Sequence, residues 1–332
     1  MKIKRQTLTF TSPPQSLCWD DTQLIDWVGG GCTYQLNGDF GRSGRIYSYR
    51  FDAAIQLVHG DDYYAVIYEK LGTKGLLLKN GENIREINRS YYHACTYEYP
   101  IAFLILKNGK LAIAHCPNEY NLLEIEEVES GKKITNSERE TKDCFISRLR
   151  VNASNTHMIN AGWVWHPVDI LEVFDIEKGL TDHSVFDEWP DDFMIDGEVA
   201  SAEFLDNDFV LVSNGDVDDG EEEEVKENIL PPMHIGLLSL EKNKWIKKTK
   251  VNAQTGTLIP LNKDYALSLL EYPKLIDLNS GKVVQKIEDI YSGEQQTSII
   301  HHIEKIPPIA TDIPNNRIAI GTKTGIEVLT WN

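Results

Sequence analysis

Between Asp182 and Glu227 the chain carries eighteen Asp and Glu residues against one basic side chain, Lys226, so this stretch holds nearly all of a formal net charge of −18. Its densest part, with Asp216, Asp218, Asp219, Glu221, Glu222, Glu223 and Glu224, has little apolar area to bury and reads as a loop insertion over about 214–230. Focused negative potential speeds encounter with a basic protein and repels the phosphates of nucleic acid. The competing reading is a solvated insertion whose ends already lie close together and which serves solubility alone. Asn214, Asp216 and Asp218 have the alternating oxygen spacing of a calcium loop. However, the glycine falls one position late at Gly220, and Val225 stands where a bidentate Glu is required.

Trp163 and Trp165 form a second group, separated by Val164 and followed by His166-Pro167. A spacing of two places both rings on one face of a strand just before a turn. Such rings either pack between neighbouring sheets or anchor a partner, and Tyr47, Tyr49, Tyr91 and Tyr92 pose the same choice. Motifs for catalysis are wanting: there is no Gly-x-Ser-x-Gly elbow, His-Glu-x-x-His or Cys-x-x-Cys, and no Gly-Lys-Ser or Gly-Lys-Thr follows Gly29-Gly30-Gly31. His301-His302, His93 with Cys95, and His115 with Cys116 lack the third and fourth members of a metal set. No catalytic residue, metal or cofactor is assigned.

The elements that must position these residues repeat. Leu275-Ile276-Asp277-Leu278-Asn279-Ser280-Gly281-Lys282-Val283-Val284 is the cleanest copy of a strand-turn-strand phrase. Others run Val173 to Leu180, Ile125 to Lys132, Leu76 to Glu82 and Leu237 to Lys244. Tight hairpins between twisted strands need positive φ, which Gly allows and Asn tolerates. The turns at 38, 81, 131, 179, 243 and 281 recur about every 49 residues, the length of one four-stranded propeller blade. Ile318 to Gly321 and Ile326 to Leu329 read as two inner strands of a last blade, and the alternating stretch Ile3 to Phe10 is expected to complete it from the other end of the chain. Such closure removes exposed sheet edges. Helix is expected only as single turns, within Asn136 to Lys142, Asp182 to Trp189 and Ile287 to Gln296.

In this period and turn chemistry the whole chain resembles the WD40-like seven-bladed β-propellers, although Trp19-Asp20 is an isolated pair and no repeated Gly-His or Trp-Asp signature accompanies it. The expected fold is one all-β domain over 1–332, a seven-bladed propeller of four-stranded blades closed by the N-terminal strand. No apolar run is long enough to span a membrane, and no apolar segment follows the basic opening, so no secretory signal is expected. Five cysteines without paired spacing fit a cytoplasmic protein. The expected function is a non-catalytic module that binds a basic partner protein, neither nucleic acid nor membrane, through the acidic sector and Trp163 and Trp165. Two alternatives stand beside it: a propeller hydrolase or lyase with its site in the central channel, and a carbohydrate-binding propeller.

Overall fold

The structure is a computed structural model that describes residues 1–332 apart from 137, 166–167, 190–193, 196, 217–227, 301–302 and 304–305. Seven antiparallel sheets follow one another around a common axis. Blade 1 comprises Cys18–Asp20, Gln23–Asp26, Cys32–Gln35 and Phe40–Gly41, and blade 2 comprises Ala53–His59, Asp62–Tyr68, Gly75–Lys79 and Glu82–Glu86. Blade 3 holds Ile101–Ile105, Leu111–His115 and Glu124–Glu127, and blade 4 holds Arg150–Val151, His157–Asn160 and Glu172–Asp175. Blade 5 is Val199–Phe204, Phe209–Asn214, His234–Ser239 and Lys244–Lys250, while blade 6 is Leu258–Pro260, Tyr265–Ser268, Lys274–Asp277 and Lys282–Lys286. Blade 7 joins Ile309–Asp312, Arg317–Thr322 and Gly325–Thr330 to the N-terminal Lys4–Thr9.

Burial follows position in the blade. In blade 2 the second strand is apolar without alternation, and Tyr64, Ala65, Val66, Ile67 and Tyr68 are all buried, because a blade packs against a neighbour on each face. Its outer strand, Glu82–Glu86, meets solvent and is polar. Ring closure is by register: Lys4 pairs with Thr330 and Thr9 with Gly325. Arg5 reinforces it through Glu327 at 2.7 Å and Asp289 at 2.5 Å, and Trp19 Nε1 of blade 1 donates to the Ala310 carbonyl of blade 7 at 3.0 Å.

The glycine turns join the third strand of a blade to the fourth. Gly38, Gly81, Gly131, Gly281 and Asn243 all have positive φ, at 95°, 83°, 66°, 68° and 47°. A Cβ on Gly281 would lie 1.9 Å from the Lys250 carbonyl oxygen of blade 5, so this turn also sets the approach of two blades. Gly179 corrects the expected pattern. It lies inside a helix, Ile176–Thr181, capped by Asp175, whose carboxylate accepts from Lys178 N. Glycine is needed there because a Cβ would come within 2.3 Å of the Phe186 ring. Blade 4 therefore has helix at its outer edge, and among the described residues blade 3 carries only the Glu126–Lys133 bridge beyond its third strand.

Two further details refine the expectations. Ile318 and Ile326 belong to the second and third strands of blade 7, and its innermost strand is Ile309–Asp312, framed by Pro307, Pro308 and Pro314. A single turn of 3-10 helix forms at His183–Phe186, within the polar connection expected to hold one.

Candidate functional site

In an antiparallel meander, the connections from second to third strand and those from blade to blade emerge on one face. Four such connections bring a set of rings together on blades 3 and 4. Phe145 precedes blade 4, and Trp163 lies in its second-to-third connection on a two-residue strand paired with Val168–Asp169. Phe145 and Trp163 exchange backbone hydrogen bonds of 2.8 and 3.2 Å, and their rings stack at 3.9 Å and 6°. Tyr120 stacks on Phe145 at 4.3 Å, Tyr97 meets it edge-on at 5.3 Å, and Tyr92 lies parallel at 6.0 Å.

The two tryptophans divide the work. Trp163 is 2% exposed and forms the floor; Trp165, beyond the end of the strand, is 42% exposed, 5.2 Å from Trp163 and 5.0 Å from His93. Tyr92, whose ring is 4.5 Å from that of His93, is 43% exposed, and Tyr91 is 86% exposed. His93 has a left-handed backbone, φ 50°, and its ring meets those of Tyr92, Phe145 and Trp165. A carboxylate completes the edge, since Tyr120 Oη donates to exposed Asp143 at 2.6 Å, and burial together with Asp143 raises the phenol's pKa. Rings held this rigidly lose little entropy when a partner covers them. Tyr47 and Tyr49 lie elsewhere, with hydroxyls on the Gly81 carbonyl and Glu69.

The acidic sector is less uniform than its composition suggests. Asp182 caps the 3-10 turn, Asp187 pairs with Arg139 at 2.6 Å, Glu203 pairs with Arg150 at 3.0 Å, and Asp206 and Asp208 hold turns of blade 5. These carboxylates are engaged within the fold. Burial, with the charges of Asp169 and Asp216, raises the pKa of Glu198, which accepts from Asp169 N at 2.6 Å. Asp216 is half-buried against Gly197 at the start of the insertion. Asp218, Asp219, Glu221, Glu222, Glu223 and Glu224 lie outside the described residues. The far end of the insertion is anchored by parallel pairing of Ile229–Leu230 with Met194–Ile195 and by Trp245 Nε1 on the Asn228 carbonyl at 3.1 Å. The insertion thus leaves blade 5 by the connection that carries the tryptophans in blade 4, on the same face.

The second concave feature is the central channel, a cavity of about 900 Å³ lined by the first strands of the blades. The connection between blades 6 and 7 crosses one end of it. Ile299 bridges Tyr97, and Ser298 Oγ donates to the Ala161 carbonyl of blade 4 at 2.7 Å. Arg148, at φ 47°, locks this strap by donating to Ser298 Oγ at 2.8 Å and to the carbonyls of Ala161, Val199 and Ala200. Cys18, Cys116 and Cys144 are buried, and burial pushes their pKa values up. His115 pairs with Glu126 at 2.9 Å. Among the described residues no group of three His, Cys, Asp or Glu could hold a metal ion, and no helix is long and apolar enough to cross a membrane.

No known protein family and no curated protein matches the chain by sequence. Among solved structures it is similar to the crystal structure of the computationally designed Ika8 protein, with a TM-score of 0.51 and 10% identity over 98% of each chain. At that identity the likeness carries the fold alone, and by fold the chain is a seven-bladed β-propeller.

Proposed function

We propose that this protein is a non-catalytic interaction module of the cytoplasm that docks a basic partner protein on the loop face of blades 3 to 5. The observation that carries this reading is the pair of half-exposed rings, Trp165 and Tyr92, on a rigid stack of buried aromatics, next to a connection that opens into an acidic run. Trp and Tyr are the residue types most often found at energetic centres of interfaces. Their faces attract Lys and Arg, and a nearby carboxylate adds charge-assisted hydrogen bonding. The acidic run would speed encounter and disfavour nucleic acid.

The test is an array of basic, neutral and acidic peptides probed with the purified protein. The expected result is retention of Lys- and Arg-rich peptides at low salt, weakening as ionic strength rises. A Trp165→Ala, Tyr92→Ala double variant should lose it by about tenfold or more. Equal binding of all three peptide classes, or unchanged binding by the double variant, rejects this function.

A further inference from the structure

The strapped end of the channel encloses charges that the docking face does not use. Asp52, Lys70, Glu98, Arg148, Arg150 and Glu203 line the cavity there, three acids against three bases. Most already have partners. Arg148 donates to three carbonyls and Ser298, Arg150 Nε donates to Glu203 at 3.0 Å, and an Asp52 oxygen accepts from the Lys70 backbone N–H at 2.7 Å.

Glu98 does not. Its side chain is on a residue only 8% exposed, yet among the described residues its carboxylate has no hydrogen-bond or ion-pair partner. The backbone beneath it is fixed, because its carbonyl accepts from Arg89 Nη1 at 3.3 Å and from Ser147 Oγ at 3.2 Å. Burial pushes the Glu98 carboxyl up, but Lys70, Arg150, Arg148 and Arg89 outweigh it and hold the group below the ordinary carboxylate range. It is therefore an ionised, positioned acceptor facing a chamber. The Lys70 ammonium, in the same lining, likewise has no hydrogen-bond or ion-pair partner among the described residues. A charge buried as Glu98 is costs stability unless something completes its hydrogen bonding; Lys70 is half-buried, and the channel as a whole falls within the size range of small-molecule sites.

We propose that the strapped end of the channel binds a small zwitterion of the α-amino-acid class, its ammonium on the Glu98 carboxylate and its carboxylate on the Lys70 ammonium. A net-neutral ligand preserves the balance of the lining charges. Charged donors and acceptors form stronger bonds here than the hydroxyls of a polyol, by about twofold per bond. The strap covers one end of that chamber.

The experiment uses the full chain and a panel of common α-amino acids, with glucose and sorbitol as neutral controls, read by thermal unfolding and then by calorimetric titration. At least one amino acid should raise the melting temperature, by about 5 °C at a hundred times its dissociation constant. The isosteric Glu98→Gln and the separate Lys70→Met should each weaken that affinity tenfold or more while the unliganded melting temperature is kept in at least one of them. No response to any amino acid, a response to the polyols instead, or affinity unchanged in both variants overturns the proposal. Trp165 and Tyr92 do not line this cavity, and Glu98 and Lys70 take no part in the docking proposal, so the failure of either reading leaves the other standing.

Discussion

Blade 2 turns from its third to its fourth strand on Asn80 and Gly81, both at positive φ; blade 4, at the equivalent point, has Asp175 capping a helix. In blade 2 the outer strand is complete and charges pair at the surface, as Lys79 of the third strand does with Asp62 and Glu129. Blade 4 gives up that strand and places charge inside. Lys142 pairs with Glu172 among Cys144, Asn160 and Phe174, and Arg148 anchors the strap. The aromatic group stands on the same irregular sector. Where the repeat is regular, burial and turn chemistry suffice; where it lapses, buried polar networks replace the missing strand and leave loops free to carry rings.

This contrast can be broken most forcefully at its two fixed points. Arg148→Met leaves four acceptors and the nearby Asp169 without their cation, and should cost about 3–5 kcal/mol in urea unfolding. Trp163→Ala removes the floor of the aromatic stack and should cost about 3–5 kcal/mol as well, whereas Trp165→Ala, half in solvent, should cost about 1 kcal/mol or less. Similar losses at both tryptophans would deny the division into floor and docking surface.

Turn chemistry gives a smaller effect. Gly281→Ala should destabilise by about 2 kcal/mol, since φ is 68° and the new methyl meets the Lys250 carbonyl. Gly38→Ala has φ 95° but no atom within 4 Å of the methyl, and should cost about 1 kcal/mol. Equal losses would show that blade spacing plays no part. Replacing Asp216 to Glu227 by a short Gly-Ser loop should change stability by about 0.5 kcal/mol or less, because the base of the insertion is anchored by Ile229–Leu230.

Protonation separates the sectors most gently. In blades 4 and 5 burial raises the carboxyls of Glu172, Asp169 and Glu198. Groups raised in the folded state stabilise it at low pH and lose that contribution as pH rises from the ordinary carboxylate value toward the folded one. Glu98 and Glu126, on the blade 2 and 3 side, lie below their ordinary values despite burial, the latter through His115 and Arg85. Their contribution is present at neutral pH and lost on acidification. Hydrogen exchange corrected for intrinsic rates should show Met158 and Ile159 gaining protection as pH falls from 7 toward 5. Leu104 and Ala112 should show no such gain.

Much of the architecture was legible in the chain because it rests on local chemistry. Hairpins that need positive φ announce themselves as Gly or Asn, and the stretch Lys4–Thr9 is polar and exposed except at Leu8, as an outer strand should be. Gly179 misled because the same residue serves close packing in a helix, and only the position of Phe186 distinguishes the two uses. Ile309–Asp312 was hidden by its flanking prolines. The candidate site was legible only in part. Trp163 and Trp165 stand out by spacing, but Tyr92, Tyr120 and Phe145 join them through three separate connections, and no single sequence discloses that convergence. The engagement of Asp187, Glu203 and Asp208 within the fold was invisible to a count of charges.

The most direct test of the docking face is capture from the lysate of the protein's own cell, at low and moderate salt, with three baits: the intact chain, the chain with Asp216 to Glu227 replaced by Gly-Ser, and Trp165→Ala. The account predicts a basic protein held by the intact chain, released by salt, and reduced on both altered baits. The same proteins on all three baits at both salt concentrations would contradict it.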